Sequence, residues 1–183
     1  MKRLLDVVIA LALALPAAIV VIICAALIRR QSPGPAIFRQ SRVGRNGALF
    51  TCLKLRTMQD GTPDAPSHET PKSAVTPLGA ILRKYKLDEL PQIWNVITGD
   101  MSFVGPRPCL PSQAELIEAR QALGVLALRP GITGVAQVQG IDMSDPELLA
   151  RVDAEYLASQ GIVTDLRLMA ATLLGAGRGD RTG

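Results

Sequence analysis

The sequence predicts a mostly helical α+β protein that is attached to a membrane through its N-terminal end. Three observations support this prediction. The segment Val7–Ile28 contains no charged side chain. Two short segments of alternating apolar residues follow it on either side of a turn sequence, and apolar residues recur at helical spacing from residue 77 onward. We therefore expect a membrane helix, then a small β-hairpin, then a set of amphipathic helices.

The amino-acid composition argues against one class of binding partner and favours another. The chain has 183 residues, enough for one domain of ordinary size, with 48% hydrophobic residues and a net charge of +4. Aromatic residues make up only 3% and do not alternate with basic residues. This pattern argues against a nucleic-acid-binding protein. Basic residues beside an apolar segment are more typical of a protein at an anionic membrane surface.

The cysteines give no sign of a disulfide framework or a zinc site. Cys24, Cys52 and Cys109 are an odd number without C-x-x-C spacing, and His68 is the single histidine. We expect three reduced thiols that pack as small apolar groups. Reduced thiols indicate a domain that faces the cytoplasm.

The apolar segment admits two membrane topologies. It is too long for the core of a cleaved signal peptide, and Arg29 and Arg30 follow it in place of a small-residue cleavage site. A run of about 20 apolar residues can span the hydrocarbon as a straight helix. However, Pro16 near the midpoint favours a kink. Lys2 and Arg3 also make the other flank basic, so a bent helix that enters and leaves by the cytoplasmic face fits equally well.

A β-hairpin is predicted directly after the membrane segment. Ser32–Pro35 ends the first helix. Ala36–Gln40 and Leu49–Leu55 alternate well enough for two short strands, and Gly44–Gly47 supplies the turn. Gln59–Val75 is rich in Pro, Thr, Ser and Asp. It predicts a long loop, a class that is usually either a functional lid or disordered.

Amphipathic helices are predicted in the rest of the chain. One begins at Pro77, which suits the first turn of a helix. A second extends from Leu87 to Ile97 by the spacing of its apolar residues. Further helices are expected at Ser112–Leu123, Pro146–Ala158 and Thr164–Leu174. The apolar faces of the first two can lie on the membrane surface, or they can pack on the core.

Two adjacent acids, Asp88 and Glu89, are the first candidates for chemistry. Neighbours on a helix project about 100° apart, so one carboxylate can attack a substrate while the other holds a metal. The alternative is an acid pair that complements a helix dipole. Asp100–Pro108 and Arg129–Gln137 favour the catalytic interpretation. Each places an arginine in a rigid Pro/Gly frame, which suits bidentate binding of phosphate oxygens.

Further residues fit a diphosphate ligand. Lys54 and Arg56 are two residues apart on a predicted strand and therefore point to the same face. Gly131 and Gly134 allow the backbone to approach a ligand closely. Carboxylates, a hard cation and several arginines are what a diphosphate substrate requires. A nucleotide-sugar donor would meet this description.

The chain resembles the bacterial sugar transferases, the monotopic phosphoglycosyl transferases that initiate glycoconjugate assembly. The resemblance covers nearly the whole chain, from the basic-flanked N-terminal segment to Asp165. The motifs that carry it appear in order and are Gln40-x-Arg42-x-Gly44, Lys54-x-Arg56-Thr57-Met58, Leu87-Asp88-Glu89-Leu90-Pro91-Gln92, Gly105-Pro106-Arg107-Pro108 and Arg129-Pro130-Gly131-Ile132-Thr133-Gly134.

The resemblance implies a re-entrant membrane helix over residues 1–30, kinked at Pro16, and a catalytic domain over residues 31–183 at the cytoplasmic face of the bacterial inner membrane. In this family the kink proline often follows a serine, whereas Leu15 stands here. The family's reaction moves a sugar-1-phosphate from a UDP-sugar to polyprenyl (undecaprenyl) phosphate and releases UMP. This is the first membrane step of polysaccharide and glycoconjugate biosynthesis. A homodimer is compatible with it, and a nucleic-acid partner is not expected.

The resemblance also implies roles for single residues. Asp88 becomes the nucleophile of a ping-pong mechanism, and Glu89 becomes a ligand of a Mg²⁺ cofactor. Several basic residues fall where the family has cations near the phosphates, and Asp153 matches an acidic position close to the same site. The candidate substrate-binding and phosphate-binding residues are Lys54, Arg56, Arg83, Arg107, Arg129, Gly131, Thr133, Gln137 and Asp153. The alternative, a non-enzymatic membrane-anchored interaction module, leaves the acid pair and the arginine motifs unexplained.

Overall fold

The computed structural model describes residues 1–62 and 72–176, and within them helices predominate over two small sheets. The elements in chain order are α1 (Lys2–Gln31), β1 (Ile37–Val43), β2 (Leu49–Leu55), α2 (Pro77–Lys84), α3 (Gln92–Thr98), β3 (Ser102–Val104), α4 (Ala114–Ala122), β4 (Gly131–Thr133), α5 (Val135–Val138), α6 (Pro146–Ser159) and α7 (Ile162–Leu173). The mostly helical α+β class predicted from the sequence is confirmed. The predicted loop Gln59–Val75 lies partly outside the described residues, as does His68.

The N-terminal segment is one uninterrupted helix that continues through Pro16. It is also the one helix in the described ranges that is long and apolar enough to cross a membrane. The residues of α1 that face the rest of the protein recur at helical spacing, namely Asp6, Ala10, Ala17, Cys24 and Ile28. Leu4, Leu11, Leu15 and Ile22 on the opposite side are exposed. The bend at Pro16 stays a prediction.

Polar contacts fix the N-terminal end of α1 to the rest of the protein. The Lys2 ammonium lies 2.7 Å from the Asp165 carboxylate. Arg3 donates to the carbonyl oxygens of Val96 and Ile97 at the end of α3, at 2.6 and 3.0 Å. The buried Asp6 carboxylate accepts hydrogen bonds from the Ser102 hydroxyl and the Phe103 amide of β3 (residues 102–104). We call these three contacts the N-terminal clamp.

Apolar packing fixes the C-terminal end of the same helix. Cys24 and Ile28 are buried in a cluster with Ala36, Leu55 and Leu82. This cluster joins α1 to the end of β2 and to α2. Both ends of the 30-residue helix are therefore held against the same body.

The predicted β-hairpin is confirmed. β1 and β2 pair antiparallel from Ile37 opposite Leu55 to Val43 opposite Leu49. Asn46 and Gly47 occupy the left-handed region in the turn between them, at φ 56° and 78°. β1 continues past the predicted end at Gln40. Its last residue, Val43, donates a backbone hydrogen bond to Cys109, so the strand is held on both edges.

α2 begins as the sequence predicts, but the second predicted helix starts later. The Thr76 hydroxyl caps α2 by accepting from the Gly79 amide at 2.9 Å. Lys86 then takes a left-handed conformation, at φ 55°, which ends the helical path. Leu87–Glu89 forms a 3-10 turn, and α3 begins only at Gln92. The prediction of a helix from Leu87 is therefore wrong at its N-terminal end.

The second sheet was not predicted from the sequence. β3 and β4 pair in parallel, with Ser102 opposite Gly131 and Val104 opposite Thr133. The backbones approach so closely that a Cβ on Gly105 would overlap the carbonyl oxygen of Arg129. A Cβ on Gly131 would likewise overlap the Gly105 amide. The Gly-Pro-Arg-Pro segment and the Arg-Pro-Gly segment therefore lie side by side.

The remaining helices agree with the sequence prediction to within two residues at each end. α4, α6 and α7 correspond to the three predicted C-terminal helices, and the short α5 was not predicted. All three cysteines are free and buried, as expected. Several helices expose large apolar side chains as well as burying others. These include Ile81 on α2, Trp94 on α3 and Val163 on α7, which are 54–62% exposed.

Candidate active site

The adjacent carboxylates Asp88 and Glu89 lie in the 3-10 turn between α2 and α3. Asp88 is 8% exposed, and the Glu89 side chain is 11% exposed. The left-handed Lys86 sets the start of this turn, and the Glu89 amide donates back to the Lys86 carbonyl at 3.3 Å. Two like charges are thus held next to each other in a largely buried position.

Cations from three different elements surround this acid pair. The Lys54 ammonium on β2 lies 3.1 Å from Glu89 Oε1. Arg107, two residues after Gly105, places its Nη1 3.4 Å from the same oxygen. Arg83 in the last turn of α2 donates to the Thr57 hydroxyl at 2.9 Å and acts electrostatically on Asp88. The three cations together offset the negative charge of the two carboxylates.

Burial and the neighbouring carboxylate raise the pKa of Asp88 from 3.8 to about 6. Burial is the larger cause and the charge of Glu89 the second, while Lys54, Arg83 and Arg107 act in the opposite direction. Asp88 is still mostly ionised at pH 7 and carries a carboxylate that water stabilises only weakly. Such a perturbed group in a cleft is typical of a functional site.

Asp88 lines a cavity of about 720 Å³ between α1, the hairpin, the loop after β2, and α2. Ala25 and Arg29 at the end of α1 form one wall, so the cavity extends from Asp88 to α1. The cations that line it are Arg29, Arg39, Arg42, Lys54, Arg56 and Arg83. Its volume is in the range of small-molecule sites, and its charge suits a ligand with several negative charges.

The hairpin places several of these groups on one face. The pairs Phe38–Lys54, Gln40–Cys52 and Arg42–Phe50 are directly opposite each other, so residues 38, 40 and 42 share a face with residues 50, 52 and 54. Arg42 donates from Nε and Nη2 to the Gln40 side chain and from Nη1 to the Pro108 carbonyl at 3.0 Å.

Three of the cations that line the cavity, Arg29, Arg39 and Arg42, were not predicted as site residues from the sequence. Arg42 could have been predicted from its spacing. The pattern Gln40-x-Arg42 repeats the two-residue spacing of Lys54-x-Arg56 on the other predicted strand. The positions of Arg29 and Arg39 depend on how α1 packs against the hairpin. No sequence pattern within α1 or the hairpin indicates how the two pack together.

Arg56 lines the cavity but also fixes the chain after α1. Its Nη1 donates to the Pro33 carbonyl at 2.6 Å, and its Nη2 donates to the Ser32 hydroxyl at 2.7 Å. It also lies 3.6 Å from Asp60. Arg56 therefore connects the end of α1 with the strand that carries Lys54.

The structure does not bring four other candidates to the cavity that contains Asp88. Arg129 lies near Arg3 and Arg45 and donates to the Gly99 carbonyl at 2.9 Å. The Thr133 hydroxyl shares a hydrogen bond of 2.6 Å with Thr172. Gln137 donates to the Ile132 carbonyl at 3.2 Å.

The fourth of these candidates, Asp153, pairs with Arg120 at 2.7 Å deep in the protein. Gly131 occupies a different position from these four. It lines a second, smaller cleft together with Glu89 and Arg107.

The acid pair is compatible with one mode of metal binding. The described residues contain no cluster of three or more Asp, Glu, His or Cys side chains that could form a complete metal cage. Mg²⁺ does not need such a cage, because it is commonly held by one or two carboxylates together with substrate phosphates. The carboxylates of Asp88 and Glu89 fit this mode.

Comparison with known proteins points to one family. The family model for bacterial sugar transferases matches residues 1–178. The chain is 41% identical over 182 residues to a UDP-glucose:undecaprenyl-phosphate glucose-1-phosphate transferase of Caulobacter vibrioides, covering 94% of this chain and 68% of the relative.

Two further relatives differ in length. A sugar transferase of Bacillus subtilis named EpsL, described as uncharacterized, is 34% identical over 94% of this chain and 85% of its own length. A UDP-glucose:undecaprenyl-phosphate glucose-1-phosphate transferase of Escherichia coli is 35% identical over 94% of this chain but only 39% of its own length. The family match over nearly the whole sequence and the two relatives covered over more than two thirds of their length agree, and the chain belongs to the bacterial sugar transferase family.

Proposed function

We propose that this protein transfers a sugar-1-phosphate from a UDP-sugar to polyprenyl phosphate, with release of UMP, through a covalent intermediate on Asp88. The observation that carries the proposal is the buried Asp88 carboxylate at the wall of a cation-lined cavity. The named activities of two relatives, which use UDP-glucose and undecaprenyl phosphate, support the substrate classes. A docking module without catalytic activity would have no use for this pair of carboxylates.

The first step uses Asp88 as the nucleophile. A carboxylate oxygen attacks the phosphorus that bears the sugar, a new O–P bond forms, and the bond to the bridging oxygen breaks so that UMP leaves. Lys54, Arg83 and Arg107 lie where they can offset the charge of both the carboxylate and the diphosphate. Held by Glu89 when bound, Mg²⁺ would neutralise charge on the diphosphate.

The second step transfers the phosphosugar to the lipid. An oxygen of polyprenyl phosphate attacks the same phosphorus, a diphosphate link forms, and the Asp88 carboxylate is released. The competing mechanism is direct transfer with Asp88 as a base. Direct transfer is the weaker explanation, because the acceptor phosphate is already ionised at neutral pH and needs no base.

We place the protein at the cytoplasmic face of the inner membrane, with both ends of α1 on that face. The N-terminal clamp and the packing of Cys24 and Ile28 support this topology, since both ends of α1 contact the same body. A helix that crossed the bilayer would leave one of these two sets of contacts on the far side of a hydrocarbon layer about 30 Å thick. The exposed Ile81, Trp94 and Val163 are available to contact lipid.

A cysteine added directly before Lys2 tests the topology. In a background without the three native cysteines, we expect an impermeant maleimide to label it in inverted membrane vesicles but not in intact cells. The matched control is Glu118→Cys, an exposed position on α4, which should show the same accessibility. If intact cells label the N-terminal cysteine but not the control, α1 spans the membrane.

Asp88→Asn tests the nucleophile. The parent should release UMP in a burst of about one equivalent when the acceptor is omitted, and intact-protein mass spectrometry should detect a phosphosugar adduct. Asp88→Asn should lose both signals, because a neutral amide is a poor nucleophile. An adduct that persists in Asp88→Asn would assign the nucleophile to another residue.

The same variant tests whether the ionised Asp88 carboxylate destabilises the folded protein, as expected of a buried charge that is kept for its function. Because the folded-state pKa is raised from 3.8 to about 6, ionisation of Asp88 costs the folded state up to about 3 kcal/mol above pH 6 and nothing below about pH 4. In the absence of divalent cations, Asp88→Asn should unfold at a higher temperature than the parent at pH 7.5. The two should unfold at similar temperatures at pH 4.

Glu147→Gln, which removes an exposed carboxylate, is the control for this comparison. It should leave the unfolding temperature unchanged at both pH values. A lower unfolding temperature of Asp88→Asn at pH 7.5 would mean that the carboxylate stabilises the fold.

Glu89→Gln tests the metal site. We expect the variant to need at least about tenfold more magnesium for half-maximal UMP release, since a neutral amide is a weaker ligand for a hard cation. Glu118→Gln should titrate as the parent does. Identical magnesium titrations of Glu89→Gln and the parent would show that Glu89 is not a ligand.

A further inference from the structure

A buried ion pair connects α4 with α6 outside the cavity. Arg120 donates from Nε and Nη2 to one oxygen of Asp153, at 3.0 and 2.7 Å. The two side chains are 3% and 2% exposed. Burying an ion pair costs desolvation free energy that can exceed the attraction between the charges, and apolar replacements of similar size are often equally stable. Stability alone therefore does not explain the pair.

Arg120 also contacts the Gly-Pro-Arg-Pro segment, residues 105–108. Its Nη1 donates to the Arg107 carbonyl at 2.9 Å. The side chain of Arg107 extends to Glu89, where the guanidinium lies 3.4 Å from the carboxylate. Arg120 thus contacts the backbone of a residue whose side chain is in the active site, although Arg120 itself does not line the cavity.

Three consecutive carbonyl groups of this segment accept hydrogen bonds from outside it. The Pro106 carbonyl accepts from the Gly131 amide at 2.8 Å. The Arg107 carbonyl accepts from Arg120, and the Pro108 carbonyl accepts from Arg42 at 3.0 Å. The two prolines have no amide hydrogen, so donors from other elements must hold the segment in place.

We propose that Arg120, itself oriented by Asp153, is a positioning residue that fixes the backbone of Arg107 and so sets its guanidinium against the acid pair and the donor diphosphate. This inference rests on the proposed function. The planar guanidinium matters, because it binds Asp153 with two donors while a third reaches the Arg107 carbonyl. The single ammonium of a lysine cannot reproduce this fork. Asp153 then acts by orienting Arg120, although Asp153 does not line the cavity.

The test replaces the pair with apolar residues of similar size, in Arg120→Met/Asp153→Leu. The fold should remain, with an unfolding temperature near that of the parent. The kcat/KM for UMP release should fall about 10- to 100-fold, since small displacements of charged groups in an active site have effects of this size. The matched control is Glu147→Gln/Arg151→Gln, which removes an exposed ion pair from α6 and should keep parental activity.

A double-mutant cycle distinguishes positioning from a general structural role. If Arg120 acts through Arg107, adding Arg120→Met/Asp153→Leu to Arg107→Met should lower kcat/KM by less than about twofold further. Losses that multiply would overturn the proposal, and so would full activity of the folded pair variant. If the pair variant does not fold, Arg120→Lys replaces it, with the same expected non-additivity and the same contradicting outcomes. A parent protein that releases no UMP would instead contradict the proposed function.

Discussion

The close placement of two largely buried carboxylates in one turn is the constraint on which the rest of the site depends. Like charges on neighbouring residues repel, and a low-dielectric environment strengthens that repulsion. Cations must therefore come from elsewhere in the fold. The β-hairpin supplies Lys54, α2 supplies Arg83, and the Gly-Pro-Arg-Pro segment supplies Arg107. The second sheet positions that last segment by bringing β3 against β4.

Helix α1 contributes to this arrangement at both of its ends. At its C-terminal end, Arg56 holds the Ser32 and Pro33 backbone while lining the cavity that contains Asp88. At its N-terminal end, Asp6 binds β3, which leads directly into Gly105 and Arg107. Under the proposed function, this packing gives a lipid phosphate a path from the α1 side of the cavity, past Arg29, to the covalent intermediate.

Elements with strong local signals were predictable from the sequence. Turn residues flanked by alternating segments identified the hairpin, and Pro77 with Thr76 before it identified the start of α2. The β3–β4 sheet could not be predicted, because each strand has only three residues and the pairing joins segments 29 residues apart. The 3-10 turn at Asp88 depends on the left-handed conformation of Lys86, which a lysine rarely adopts.

The candidate site likewise contains residues whose positions were predictable and residues whose positions were not. The acid pair lies beside Lys54 and Arg107, whose residue types and motifs made them candidates. Arg83, which only the family resemblance implied, lies there as well. Arg129 and Asp153 carry similar signals but lie elsewhere, since Arg129 faces the N-terminal end of α1 and Asp153 pairs with Arg120. Residue type and spacing indicate which groups can bind phosphate. They do not show which residue a buried charged side chain will contact in the folded protein.

Exchange of labelled UMP into UDP-sugar is the most direct test of the central claim that Asp88 carries the phosphosugar. With donor, magnesium and labelled UMP but no polyprenyl phosphate, a covalent intermediate can react backwards with UMP, so labelled UDP-sugar should accumulate. Asp88→Asn should show no exchange. If the parent completes the full reaction with polyprenyl phosphate but shows no exchange without it, transfer is direct and the covalent role of Asp88 is contradicted.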